Sequence, residues 1–186
     1  MKTKLIFYTL LVIMSSCKNV AVHDNNISVA IHFIDAFYSF NKDSLMSILS
    51  KTDMLSKRSI LYYQGWAECG NYEILNRNDC IEKNDSLVLC PITVEDDLIG
   101  ALKIDFNTTD TFHLTIIDGK IRDVQISSND PDMYFEAKEW VNQNLPELIE
   151  KPCEGIWKDG TTPCECVKAM VEGFTEFITN RNPSIK

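Results

Sequence analysis

Hydrophobic positions in the first half of the chain recur at helical spacing. One apolar stripe predicts a first helix from Ile27 to near Asn41, and its members are Ala30, Phe33, Ile34, Phe37, Tyr38 and Phe40. Leu45, Ile48 and Leu49 continue the pattern as a second, short helix. A third helix is predicted from Lys57 to Glu68, before Gly70. Three helices are therefore expected before any strand.

The middle of the chain has the composition of strands. Three strands are predicted at 71–75, 79–82 and 87–94, where apolar and β-branched residues are bounded by turn-forming residues. Two further strands, 111–117 and 121–126, flank Asp118-Gly119, a pair that favours a two-residue type I′ turn. An unbroken ladder from that turn predicts four pairs: Thr115 with Arg122 and His113 with Val124 on one face, Leu114 with Asp123 and Phe112 with Gln125 on the other. Neither face of this hairpin would then be purely apolar.

Two more helices are predicted near the end of the chain. Asp130-Pro131 has the pattern of an N-cap followed by a first-turn proline. Thr162-Pro163-Cys164-Glu165 is a capping box, and it opens a helix with an apolar stripe of Val167, Met170, Val171, Phe174, Phe177 and Ile178. Helices that precede and follow an antiparallel sheet are typical of the α+β class.

The start of the chain has the pattern of an export signal. Lys2 and Lys4 precede an apolar run from Leu5 to Met14, which is shorter than the roughly 20 residues of a membrane span. Ser15-Ser16-Cys17 then resembles the lipobox of bacterial lipoproteins. The resemblance implies a signal peptide over 1–16, a lipidated Cys17 with a tether to residue 26, and a membrane-anchored protein of the bacterial cell envelope. Residues 27–186 have the length of a single domain.

Charge limits the partners of this domain. The formal net charge is -9, and removal of Lys2 and Lys4 with the leader makes it more negative still. Nucleic acid is therefore not an expected partner, and membrane attachment would depend on lipid at Cys17. The acidic run 95–97 precedes an apolar segment, and its spacing matches no calcium loop, so helix capping is its expected role.

Six cysteines remain once Cys17 is assigned to lipid: Cys69, Cys80, Cys90, Cys153, Cys164 and Cys166. An even number in an exported chain favours disulfides. Cys80 and Cys90 flank a turn-like stretch and are expected to pair, whereas Cys153 lies close enough in sequence to pair with Cys164 or Cys166. A zinc cluster is not expected because the chain lacks paired C-x-x-C motifs. No metal or cofactor is predicted.

Three segments together resemble nuclear transport factor 2-like, or SnoaL-like, domains. They are Phe33 to Leu45, Asp118-Gly119-Lys120-Ile121, and Trp66-Ala67-Glu68-Cys69 with the cysteines that follow. The resemblance covers 27–149. It implies a cone-shaped, curved antiparallel sheet with the N-terminal helices packed over it and a pocket between them, while the C-terminal helices extend beyond. It implies no particular reaction, because this scaffold serves many functions.

The candidate pocket residues are Tyr38 on the first helix, Tyr62 and Trp66 on the third, and His113 on the hairpin. The first hypothesis is a lipid-anchored protein that binds a small apolar ligand or a protein partner without catalysis. The second is an isomerase or cyclase that uses a pocket carboxylate or His, and the third is a homodimeric structural module. A carboxylate or His inside the pocket, close to Tyr38, Tyr62 or Trp66, would favour the enzyme.

Overall fold

The computed structural model describes residues 26–155 and 164–181. Its helices are α1 (Asn26–Tyr38), α2 (Lys42–Ile48) with a 3-10 turn (Leu49–Lys51), α3 (Met54–Cys69), α4 (Asp97–Ala101), α5 (Asp132–Asn144), α6 (Pro146–Ile149) and α7 (Cys164–Arg181). The strands are β1 (Glu73–Arg77), β2 (Ile81–Glu82), β3 (Leu87–Glu95), β4 (Thr108–Ile117) and β5 (Lys120–Ser128). The chain is an α+β protein, as predicted. The predicted signal peptide, Cys17, the tether up to residue 25 and Thr162 lie outside the described residues, and Asn26, the last residue of the predicted tether, begins α1.

Side-chain caps fix where the helices begin. Asn41 accepts a hydrogen bond from the Ser44 amide at 2.9 Å and so begins α2. Asp53 caps α3, which therefore starts before the predicted Lys57. Asp96 accepts from the amides of Leu98 and Ile99 at 2.9 and 3.0 Å, which confirms the capping role expected of the acidic run.

The five strands form one open antiparallel sheet in the order β1-β3-β4-β5, with β2 also paired to β3. From Phe112 to Ile116 every second side chain of β4 is buried, namely Phe112, Leu114 and Ile116. Helix α1 packs on this face of the sheet, where the Phe112 ring lies 5.6 Å from Phe33 and 4.9 Å from Phe37, centroid to centroid. The main hydrophobic core lies between the first three helices and the sheet.

The predicted ladder of the β4–β5 hairpin is wrong by one residue. Its turn is as expected, since Asp118 and Gly119 both have positive φ, and Ile116 pairs with Ile121. A β-bulge follows, so that Thr115 faces Asp123, His113 faces Gln125, Leu114 faces Val124 and Phe112 faces Ile126. The extra residue is Arg122. From Ile116 to Phe112, one face of the hairpin is consequently apolar, contrary to the prediction.

A second hydrophobic cluster joins α4, α5 and α7. The predicted cap of α5 is wrong: Pro131 occupies the N-cap position, and the Asp130 carboxylate instead accepts from the Thr108 hydroxyl at 3.4 Å. No helix in the described part of the chain is long and apolar enough to cross a membrane.

Three disulfides connect the six cysteines that follow Cys17. Cys80 pairs with Cys90, as predicted, and Cys153 pairs with Cys166. The third disulfide, between Cys69 and Cys164, joins residues 95 positions apart and ties the end of α3 to the start of α7.

Candidate functional site

A cavity of about 410 Å³ lies between α3, α5 and one end of the sheet. Its walls come from five elements and the loops between them: Phe37, Tyr62, Tyr63, Trp66, Ala67, Tyr72, Asp110, Ile126, Ser128, Asp130, Tyr134, Phe135 and Lys138. Ligand pockets in proteins are commonly about 300–1,000 Å³. The cavity therefore has the size of a small-molecule site.

One carboxylate in the wall comes from the inner face of the sheet. The buried positions of β4 run from Ile116 through Leu114 and Phe112, and the next residue on the same face is Asp110. Directly opposite on β5 is Ser128, whose hydroxyl donates a hydrogen bond to Asp110 Oδ1. The strand thus places an acidic side chain at a position that its own alternation assigns to the core.

Burial governs the electrostatics of this site. The pKa of Asp110 is raised to about 6: desolvation is the largest cause, the Ser128 hydroxyl opposes it, and the nearby Asp130 and Asp96 carboxylates add to it. Desolvation likewise raises the pKa of Asp96 to about 6, against two backbone amides that hydrogen-bond it. The pKa of Asp130 is also raised, because burial outweighs the hydrogen bond from Thr108 and the charge of Lys138, which both lower it. Three carboxyl groups therefore share a region in which ionisation is costly.

Aromatic rings make up most of the remaining wall. On α3, the Tyr62 ring lies 5.4 Å from Tyr63 and 6.0 Å from Trp66, and on α5 the Tyr134 ring lies 5.4 Å from Phe135. Tyr63 and Phe135 are 41% and 55% exposed. These two rings therefore stand at the mouth of the cavity.

Two buried phenols in the wall stay neutral over the physiological pH range. Desolvation is the largest cause that raises the pKa of both Tyr72 and Tyr134, and the nearby Asp96 carboxylate adds to the effect on each. A neutral phenol both donates and accepts a hydrogen bond. The cavity thus offers fixed hydroxyl groups as well as carboxylates.

The four predicted pocket residues divide into two groups. Tyr62 and Trp66 line the cavity. Tyr38 instead packs edge-on against Phe37 and Phe112 in the main core, and its buried hydroxyl has no hydrogen-bond partner among the described residues. Its pKa is raised chiefly by burial.

His113 does not line this cavity, contrary to its selection as a pocket candidate. Successive side chains of a strand point to opposite faces, so His113 lies on the face opposite Phe112 and Leu114. There its Nε2 is 2.9 Å from the Ser127 hydroxyl.

Asp110, Asp130 and Tyr134 line the cavity but were not among the residues predicted from the sequence. Asp110 carried a usable signal, because it continues the alternation of Phe112, Leu114 and Ile116. Asp130 was interpreted as a helix cap, and Tyr134 was not among the candidate pocket residues. Neither had a local signal for a site, since their place in the cavity depends on how α5 packs against α3.

Metal binding has no support from side-chain geometry in residues 26–155 and 164–181, where no group of three or more His, Cys, Asp or Glu side chains is suited to hold an ion. No family model, no curated protein and no solved structure matches the chain. The fold and the site therefore define the class of the protein but no named family. It is an α+β domain with an open antiparallel sheet and, at one end of the sheet, a cavity lined by aromatic and acidic residues.

Proposed function

We propose that the chain is a small-molecule-binding protein of the bacterial cell envelope, exported and anchored through lipid on Cys17. The observation that carries the binding function is the cavity of about 410 Å³ with aromatic walls and a few polar groups. Three disulfides support an oxidising, exported location. The lipid anchor rests on the lipobox-like segment Ser15-Ser16-Cys17.

The nuclear transport factor 2-like assignment, with its cone-shaped sheet, is part of the same proposal. Helices that precede an antiparallel sheet and pack on one of its faces support it. A cavity at the end of the sheet, partly walled by the third helix, is also in keeping with the pocket that the resemblance implies.

A second candidate function is proton transfer by an isomerase or cyclase. It is favoured by Asp110, a cavity carboxylate whose pKa is raised to about 6, since a general base works best with a pKa near the operating pH. An enzyme of this kind would exchange a proton next to the carbonyl of a bound ketone for deuterium, and the Asp110→Asn variant would lose the exchange while it still binds the ketone. Retention of full exchange by that variant would exclude Asp110 as the base.

Ligand binding is tested with the neutral fluorescent probe N-phenyl-1-naphthylamine and the purified full chain. We expect saturable binding to one site, weakened roughly tenfold in Tyr134→Ala because the variant removes one aromatic wall. Trp140→Ala is the matched control: it truncates an aromatic residue of the same helix that packs on Phe177 and does not line the cavity.

Absence of saturable binding would contradict the proposed function. Equal weakening by the Tyr134 and Trp140 variants would also contradict it, since the probe would then report general loosening of α5 and not the cavity.

A further inference from the structure

We propose that the cavity selects an organic cation, a ligand with an apolar or aromatic body that carries one ammonium group. The inference rests on the proposed binding function and adds the charge of the ligand. Carboxylates, the charge balance of the wall and the aromatic rings each contribute to it.

Two carboxylates line the same cavity from neighbouring parts of the sheet. Asp110 lies on β4, and Asp130 follows β5. Each Oδ1 accepts from a neutral hydroxyl, that of Ser128 for Asp110 and that of Thr108 for Asp130. A hydroxyl orients a carboxylate but supplies no positive charge. The hydroxyls leave both carboxylates uncompensated; the cation Lys138 acts on Asp130, and the charge of Asp110 remains available to a ligand.

The charge balance of the wall is negative. Lys138 is the basic residue among those that line the cavity, and it stands against Asp110 and Asp130. Asp96 adds a third carboxylate close enough to disfavour ionisation of Asp110. The described ion pairs of Arg77 with Asp35 and of Arg181 with Glu136 lie outside the lining. An anion would meet uncompensated negative charge here, whereas a cation would offset it.

The aromatic walls favour an organic cation over a metal ion. Rings of Tyr, Trp and Phe attract an ammonium group to their faces, and Trp does so most strongly. Tyr62, Trp66 and Tyr134 supply such rings beside the two carboxylates. A metal ion needs several oxygen, nitrogen or sulfur ligands, and the described part of the chain offers no group of three suitable side chains. An organic cation can therefore contact the aromatic rings with its apolar body and the carboxylates with its ammonium group.

The test compares two probes of the same shape, benzyltrimethylammonium and its neutral isostere neopentylbenzene. Ligand-observed NMR titration of the full chain at pH 7.5 should give an affinity at least about tenfold higher for the cation. In Asp110→Asn/Asp130→Asn the preference should disappear, because Asn keeps the volume and the oxygen acceptor but removes the charge. The neutral probe should bind this variant at least as well as it binds the parent.

The control variant is Asp105→Asn/Asp118→Asn, which makes the same change of net charge outside the cavity lining. Asp118 has a φ of 53°, a conformation that Asn tolerates. This variant should keep the full preference for the cation. Circular dichroism verifies that both variants are folded, and the single variants Asp110→Asn and Asp130→Asn replace the double one if it does not fold.

Three results would overturn the inference, and they separate it from the proposed function. Equal affinity for both probes, or preference for the neutral one, overturns the choice of a cation and leaves small-molecule binding standing. A preference that survives neutralisation of Asp110 and Asp130 overturns their role in it. Failure of both probes to bind overturns the inference and counts against the proposed function as well.

Discussion

Asp110 is costly to the fold at neutral pH. Its carboxyl lies at an inward position of β4, where burial raises its pKa from the ordinary 3.8 to about 6. Near neutral pH it is nevertheless ionised, next to Asp96 and Asp130 and with a neutral serine hydroxyl as its described hydrogen-bond donor. Buried groups with such shifted pKa values concentrate at functional sites. A role in ligand binding would explain why the chain keeps a buried carboxylate that destabilises the fold.

Neutralisation of Asp110 should therefore stabilise the protein, and by an amount that depends on pH. The raised pKa means that the folded state binds the proton more tightly than the unfolded state, so ionisation lowers stability as pH rises from about 4 to 6. We expect Asp110→Asn to raise the free energy of unfolding by between about 1 and 3 kcal/mol at pH 7, at about 1.4 kcal/mol per pKa unit, and by almost nothing at pH 4.

Urea unfolding of the two proteins at both pH values measures this difference. Because the Asp96 and Asp130 carboxylates contribute to the raised pKa of Asp110, the difference includes the relief of their repulsion as well as the desolvation of Asp110. A variant that is less stable than the parent at pH 7, or equally shifted at both pH values, would show that the ionised carboxylate is not the source of the cost.

At the scale of elements, the close approach of α5 and α7 depends on a glycine. A Cβ atom at Gly173 would lie 2.6 and 2.8 Å from the two methyl carbons of Val141, a β-branched side chain with little rotamer freedom. We expect Gly173→Ala to lower the free energy of unfolding by about 1–3 kcal/mol through overpacking, despite the higher helix propensity of Ala.

Two further variants make this prediction specific. Gly100→Ala in α4 is the control, since a Cβ there meets nothing within 4 Å, and it should stabilise by about 0.5–1 kcal/mol. Val141→Ala should rescue much of the loss in Gly173→Ala. Stabilisation of both glycine variants by the same amount would mean that the two helices are not in contact at Gly173.

Much of the element order was predictable from periodicity, and the register was not. Helical spacing and turn chemistry identified α1, α3, α7 and the Asp118-Gly119 turn, because these signals are local in sequence. The bulge at Arg122 is not local. Its carbonyl accepts from the Asp53 amide at 3.2 Å, and that of Ile121 accepts from the Thr52 hydroxyl at 3.0 Å, so a segment before α3 stabilises it. These contacts come from outside the hairpin, so the bulge cannot be predicted from the alternation of residues within it.

The site was predictable to a smaller extent than the fold. Tyr62 and Trp66 were chosen as amphipathic aromatic residues of the third helix, and both line the cavity. Tyr38 was chosen for its place on the first helix and His113 for its expected pairing with Val124, and packing places one in the core and the other on the opposite face of β4. Tertiary packing determines which polar residues meet in the cavity. Tertiary packing depends on the whole chain and not on a local pattern.

In the whole molecule, the cavity lies where two hydrophobic clusters meet. Phe37 belongs to the cluster between the first helices and the sheet, whereas Trp66 and Tyr134 pack against the cluster of α4, α5 and α7. Clefts between separately packed parts of a protein are common ligand sites. The Cys69–Cys164 disulfide connects the same two parts by joining α3 to α7. Helix α5 thus completes the cavity wall that the first part of the fold leaves open, and α7 packs against α5 outside the lining.

The most direct test of the central claim, that this cavity is a ligand site, is a two-dimensional NMR titration of the full chain. Benzyltrimethylammonium and N-phenyl-1-naphthylamine serve as the charged and neutral probes. We predict that at least one of them shifts the backbone amides of Asp110, Ser128 and Tyr134 together with the Trp66 indole N–H, while Asp118 in the distant turn stays unchanged. Unchanged cavity signals at saturating probe, or larger shifts elsewhere on the protein, would contradict the claim.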